Sequence, residues 1–135
     1  NMLQGRDGKN IAASDLLAVI LILVPNERRF SGQEKLHNCF FALREYWPIL
    51  KEFDGFDTRW PQVWSERLEQ SYSLLSLSRI IMSDGDFHSF GLTQSGREYI
   101  RSRILPKFTP EQILDSRAVA HVLAEMSCNC RMCSV

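Results

Sequence analysis

The sequence predicts an α+β domain, mostly helical, and three observations predict it. Apolar residues recur at i, i+3, i+4 and i+7 in successive stretches separated by polar or proline-containing breaks, the spacing of helices with one buried face. Helix-start chemistry stands at the head of those stretches, in Ser14-Asp15, Ser31-Gly32-Gln33-Glu34, Pro61, Thr93 and Thr109-Pro110-Glu111-Gln112. Finally, Asp84-Gly85 falls between two short strand-like runs, and aspartate and glycine tolerate the positive φ angles of tight hairpins.

Taken in order, residues 1–13 are polar and glycine-containing and read as a flexible lead-in. Ser14 and Asp15 offer caps for a first helix over about residues 15–24, whose buried face is Leu16, Leu17, Ile20, Leu23 and Val24 and which Pro25 ends. The capping box at Ser31 and Glu34 opens a second helix that carries Leu36, Cys39, Phe40, Leu43 and Trp47 to an end near Tyr46. Residues 49–60 are acidic and irregular, a loop with a short strand or turn. Pro61 then occupies the first turn of a third helix, predicted over residues 61–79, with Trp64, Leu68, Tyr72 and Leu75 inward and Leu74 and Leu77 widening the buried stripe.

The hairpin follows, with Ile80, Ile81 and Met82 before the turn and residues 87–92 after it, where His88, Phe90 and Leu92 share one face. Thr93 caps the next helix; Tyr99, Ile100 and Ile104 are expected inward, and Gly96 permits close approach of another element. Residues 110–126 form the last helix. Its apolar set, Ile113, Leu114, Val119, Val122, Leu123 and Met126, exceeds what one small domain needs to cover and predicts pairing with a second copy. A leucine-rich helix running into a glycine-turn hairpin is the back half of a winged helix-turn-helix. The predicted organisation is therefore a lead-in at 1–13, a winged-helix domain with a two-stranded wing at 14–104, an appended dimerisation helix at 105–127 and a cysteine-rich tail at 128–135.

Two segments resemble known families. Leu92-Thr93-x-x-Gly96, behind that hairpin and helix, resembles the end of the winged-helix domain in bacterial and archaeal regulators of the PadR and MarR types. Lys35-Leu36-His37-Asn38-Cys39-Phe40-Phe41, followed by an aromatic-acidic loop and a long helix, resembles an uncharacterised prokaryotic winged-helix family described as YwgA-like. The resemblance implies a DNA-binding transcriptional regulator, and winged helices also serve as protein-interaction modules such as adaptors or complex subunits.

Composition bounds these readings. The chain has 135 residues, suited to one domain, with 44% hydrophobic and 24% charged residues. Sixteen basic residues balance sixteen acidic ones, so any attraction to nucleic acid must come from a local patch. The longest apolar run, residues 16–24, falls well short of the roughly 20 residues a membrane span needs. The start lacks the basic and apolar regions of a secretory signal, and a cytoplasmic location is expected.

For DNA, the third helix would enter the major groove, with Arg59, Gln62, Ser65 and Arg67 near its start, Arg79 at its end, and Arg28 and Arg29 on phosphates. Glu66 and Glu69 on that helix, and Asp84 and Asp86 at the wing, oppose a phosphate backbone. Arg97, Arg101, Arg103 and Lys107 form a further basic cluster, as a phosphate or acidic-partner site or as a solvated helix face.

Cys39 lies on an apolar stripe and reads as a small core residue. Cys128, Cys130 and Cys133 bring three thiols close enough to share zinc or copper(I), to form a disulfide, or to remain a thiol-rich tail without a chemical role; a structural zinc would need a fourth ligand, such as His121 or a cysteine from a second chain. No catalytic motif is present: His37, His88 and His121 are scattered, His37 reads as a partly exposed helix residue, and no phosphate-cradling glycine loop occurs. The chain is read as non-enzymatic. Trp47, Trp60, Trp64, Phe53 and Phe56 gather around the middle loop, as core or as an aromatic binding site.

Overall fold

The structure, a computed structural model, describes residues 3–59, 62–84 and 89–128. Leu16 to Leu21 are six consecutive buried residues, so α1 (Ala13–Ile22) is apolar all round and can only sit at the centre. It packs against α3 (Glu66–Leu77), α5 (Pro110–Cys128) and the segment that follows α4 (Gln94–Tyr99), while α2 (Glu34–Leu43) packs against α5. Two antiparallel hairpins complete the α+β fold: β1 (Phe56–Asp57) with β2 (Trp64–Ser65), and β3 (Ile81–Asp84) with β4 (Ser89–Leu92).

α1 begins earlier than its cap signals suggested. Ala12 is the extended residue before it, and its carbonyl takes the amides of Asp15 and Leu16. The Asp15 carboxylate instead receives Lys107 Nζ at 3.0 Å. After α1 the chain turns through Asn26 and Glu27, both at positive φ, and then runs extended to Phe30. There Phe30 and Phe90 exchange both backbone hydrogen bonds at 2.8 Å and stack their rings, so one residue of this connector lies alongside β4.

The capping box at Ser31 does not form. Gln33 is the residue before α2, no side chain caps it, and Ser31 is exposed. The helix also stops at Leu43, whose carbonyl receives the amides of both Tyr46 and Trp47, and a 3₁₀ turn, Pro48–Phe53, follows.

α3 starts at Glu66, not in the turn after Pro61, because residues 64–65 are extended and paired with β1. Ser65 is the cap, and its Oγ accepts the Leu68 amide at 3.1 Å. At the other end Arg79 takes φ 62°, with its amide on the Ser76 carbonyl and the Ile80 amide on the Leu75 carbonyl. That is a Schellman stop with arginine where glycine usually stands, sealed by buried Leu75 and Ile80.

β3 and β4 pair Ile81 with Leu92 through Asp84 with Ser89. The predicted turn residues Gly85 and Asp86, with His88, lie outside the described residues. Thr93 caps α4 as its sequence suggests, accepting the Gly96 amide at 2.9 Å while donating to the Arg79 carbonyl. A Cβ on Gly96 would lie 2.6 Å from the Ile80 carbonyl oxygen, so the close approach expected there is real. Helical winding continues through a π turn, Ile100–Ile104, with Ile100 and Ile104 buried; Tyr99, expected inward, is 51% exposed. Thr109 and Gln112 form the reciprocal capping box of α5, at 3.1 and 2.9 Å.

The lead-in is tied down over its described part. Gln4 bridges to Asn10, the Arg6 amide donates to the Lys107 carbonyl, Gln112 Nε2 donates to the Gln4 carbonyl at 2.7 Å, and Ile11 is buried.

Candidate functional site

The residues expected to meet a phosphate backbone do not converge. Ser65 is fully buried, its hydroxyl donating to the Phe53 carbonyl at 2.6 Å while capping α3, and no phosphate can reach it. Arg59 is 89% exposed but clasps Asp57 through two hydrogen bonds of 3.1 and 2.9 Å. This pairing holds the Asp57 carboxyl well below its usual range, at about 2. Arg29 spans the β3–β4 hairpin, donating at 3.4 Å to the Met82 and Ser89 carbonyls, and lies against Gly91. Arg28 is half-buried.

Gln62, Arg67 and Arg79 are exposed. Arg67 faces the start of α1, in a cleft it shares with Ala12, Ser14, Gln70 and Leu74. Arg79 sits in its left-handed turn beside Tyr99 and Ser95.

The remaining exposed face of α3 has a different chemistry. Glu66 and Glu69 stand in its first turn, where the positive end of the helix favours carboxylates. Among the described residues neither is in an ion pair; Glu66 accepts from Gln70 Nε2 at 3.5 Å and Glu69 from the Trp64 indole at 3.0 Å. Further along, Leu74 and Leu77, expected to widen the buried stripe, are instead 55% and 81% exposed, because the core contact of α3 is made by Leu68 and Leu75. This helix face is acidic at its start and apolar at its end.

Under the acidic end lies a residue that the sequence did not mark. His37, expected half-exposed, is fully buried: its Nδ1 accepts the Ser65 amide at 2.9 Å, its Nε2 faces Gln33 Oε1 at 3.3 Å, and its ring stacks on Trp64 at 3.8 Å. Burial lowers its pKa to about 4, against a smaller opposing pull from Glu69. Nδ1 as acceptor requires the proton on Nε2, so the ring is a neutral spacer and not an acid or base at neutral pH.

The other expected clusters divide. Arg97 is buried and reaches Glu27 at 3.7 Å, Lys107 is exposed but binds Asp15, and Arg101 and Arg103 face solvent. Of the aromatic set, Phe53 stacks on Phe40, Phe56 meets Phe41 edge-on, and Trp64 covers His37. Trp60 lies outside the described residues.

Cys39 is buried, and burial pushes its thiol up to about 12. Cys128 is the last described helical residue, and Cys130 and Cys133 lie beyond the described chain. Among the described residues no group of three or more His, Cys, Asp or Glu side chains is arranged to hold a metal, and no helix is long and apolar enough to cross a membrane.

The apolar side of α5 is mostly consumed within the chain. Val119, Ala120, Leu123 and Ala124 are buried, and Ile113 and Val122 pack on the core. Leu114 remains 64% exposed and Met126 38%, about 120° apart around the helix.

Comparison with family models, curated proteins and solved structures finds no match to this chain.

Proposed function

We propose that the chain is a winged helix-turn-helix domain acting as a non-enzymatic protein-interaction module in the cytoplasm. Support for the fold comes from the order helix, bridge residue, helix, short hairpin, helix, hairpin, helix, with Phe30 bridged to Phe90 beside the second hairpin. Support for the function comes from the outward face of α3, which joins Glu66 and Glu69 to exposed Leu74 and Leu77. Carboxylates beside a phosphate backbone are repelled, and exposed leucines gain nothing from it, whereas a protein partner can use both.

A DNA-binding transcriptional regulator is the second reading, favoured by Arg67 and Arg79, exposed on and just after α3. Selection from a random duplex pool, with anisotropy of a labelled random duplex at low salt, separates the two. The interaction module yields no enriched sequence, and Glu66→Lys/Glu69→Lys gains salt-sensitive duplex binding that the wild type lacks. An enriched sequence whose binding falls with Arg67→Ala establishes the regulator instead.

A further inference from the structure

We propose that α3 and the β1–β2 hairpin form one docking groove for a segment of another protein that carries basic residues at one end and apolar residues at the other. This rests on the interaction-module reading and names its partner's chemistry. Two shallow clefts lie along this side. The first, about 560 Å³, is bounded by Asp57, Gln62 and Trp64 together with Glu66 and Glu69. The second, about 460 Å³, is bounded by the same two glutamates and by Gln70, Leu74 and Leu77. Because Glu66 and Glu69 line both, the clefts adjoin, and the track from Glu66 to Leu77 runs about 16 Å along the helix.

Charge complementarity selects the occupant. The shared wall carries two carboxylates with no cationic partner among the described residues, and the remaining acid of the first cleft, Asp57, is already held by Arg59. A lysine or arginine entering here meets Glu66, Glu69 and the Trp64 ring, whose one face rests on His37 and whose remainder borders the cleft. An acidic segment or a nucleic acid is repelled by the same wall. Beyond it, Leu74 and Leu77 present the largest apolar exposure on α3, and covering them gives the affinity that a pair of exposed charges does not. The fitting segment is therefore basic, then apolar, over about three turns of helix or about five extended residues.

The test uses the full chain against a random-peptide display library, followed by fluorescence polarisation with the synthesised winners. Enriched peptides should carry Lys or Arg ahead of Leu, Ile, Met or Phe. Their affinity should fall about tenfold or more in Glu66→Gln/Glu69→Gln and separately in Leu77→Ser, and stay unchanged in Arg103→Ala, an exposed residue that lines neither cleft. Added salt should weaken the wild-type complex and leave the double-glutamine variant nearly unaffected. All three variants change exposed side chains, and circular dichroism confirms their folding. Failure to enrich basic-apolar peptides, or winners that bind every variant equally, overturns the groove. So does self-association of the wild type that Leu77→Ser abolishes, since a second copy would then be the occupant. None of these outcomes bears on the duplex selection, which decides the underlying reading by itself.

Discussion

The Nδ1 nitrogen of His37 accepts the backbone amide of Ser65 across 2.9 Å, joining the middle of α2 to the residue that starts α3. Protonating His37 would turn that acceptor into a donor facing another donor, inside a site closed by Trp64. Burial lowers its pKa from 6.5 to about 4, against a smaller opposing pull from Glu69, so between these values the unfolded chain binds more protons than the folded one. Stability contributed by neutral His37 is complete above the unfolded value and is lost as pH falls through that window, by roughly 3 kcal/mol in all. Urea midpoints measured across the window should show this fall. His37→Asn keeps an acceptor near Nδ1 and removes the titration, so its profile should be flatter there, from a lower starting stability because the stack on Trp64 is gone.

Ser65→Ala removes the cap of α3 and orphans the Phe53 carbonyl inside the protein. Losing a cap costs about 1 kcal/mol and leaving a buried acceptor unpaired about 1–3 more, so a total near 2–4 kcal/mol is expected. Chemical denaturation measures it. An unchanged midpoint would show that the hydroxyl is not the joint between β2 and α3.

Arg79 pays for its place in the left-handed region, where a side chain costs about 1–2 kcal/mol relative to glycine. Arg79→Gly should raise stability by about 1 kcal/mol, after the entropy glycine loses on folding is subtracted. The same variant removes a candidate phosphate contact. A rise in denaturation midpoint with unchanged ligand behaviour assigns Arg79 to the turn alone.

How far the sequence reveals this molecule depends on the range of the interaction. The Thr93 cap, the Gly96 approach and the capping box of Thr109 and Gln112 are settled within a few residues, and their local chemistry predicts them correctly. The buried character of α1 is equally local, since an uninterrupted apolar run admits few alternatives. The start of α3 is not local. Pro61 is a genuine helix-start signal, but the chain first pairs residues 56–57 with 64–65, and the Ser65 cap then fixes the boundary. Burial of His37 depends on Ser65 and Trp64, and burial of Arg97 on Glu27, partners too distant for any spacing rule to find. The end of α3 falls at Leu77, two residues before the predicted 79, but the left-handed turn that makes it was not marked, because its residue is arginine and only glycine or asparagine signals such a turn. As for the candidate site, the acidic character of the third helix was legible, whereas the exposure of Leu74 and Leu77 and the commitment of Arg29 and Arg59 to partners within the chain were not.

Gly96→Ala should be among the more damaging single-methyl additions available. Its Cβ would lie 2.6 Å from the Ile80 carbonyl oxygen and 2.8 Å from the Ile80 Cα, and both obstacles are backbone. Relief requires α4 to move away from the residue that seals the Schellman turn, breaking the Thr93 amide bond to Ile80 at 2.9 Å. Overpacking of this kind costs about 1–3 kcal/mol, against which alanine's better helix propensity returns about 1. A net loss in thermal midpoint is expected, and a gain would mean that α4 has more freedom than its packing indicates.

The last prediction concerns assembly. A helix that pairs with its own copy needs a continuous apolar stripe, with contacts at every turn over several turns. The sequence of α5 has enough apolar residues for one, but the fold directs Val119, Leu123 and their neighbours into the core formed with α1 and α2. Leu114 and Met126 are left outside, separated by about 120° of rotation and by about 18 Å along the axis, too far apart to meet one partner helix on one face. The chain should therefore sediment as a monomer at micromolar concentration, with Leu114→Ser leaving both its sedimentation coefficient and its stability unchanged. A dimer that Leu114→Ser dissociates would restore α5 as the assembly surface and require the helix to shift its buried face on pairing.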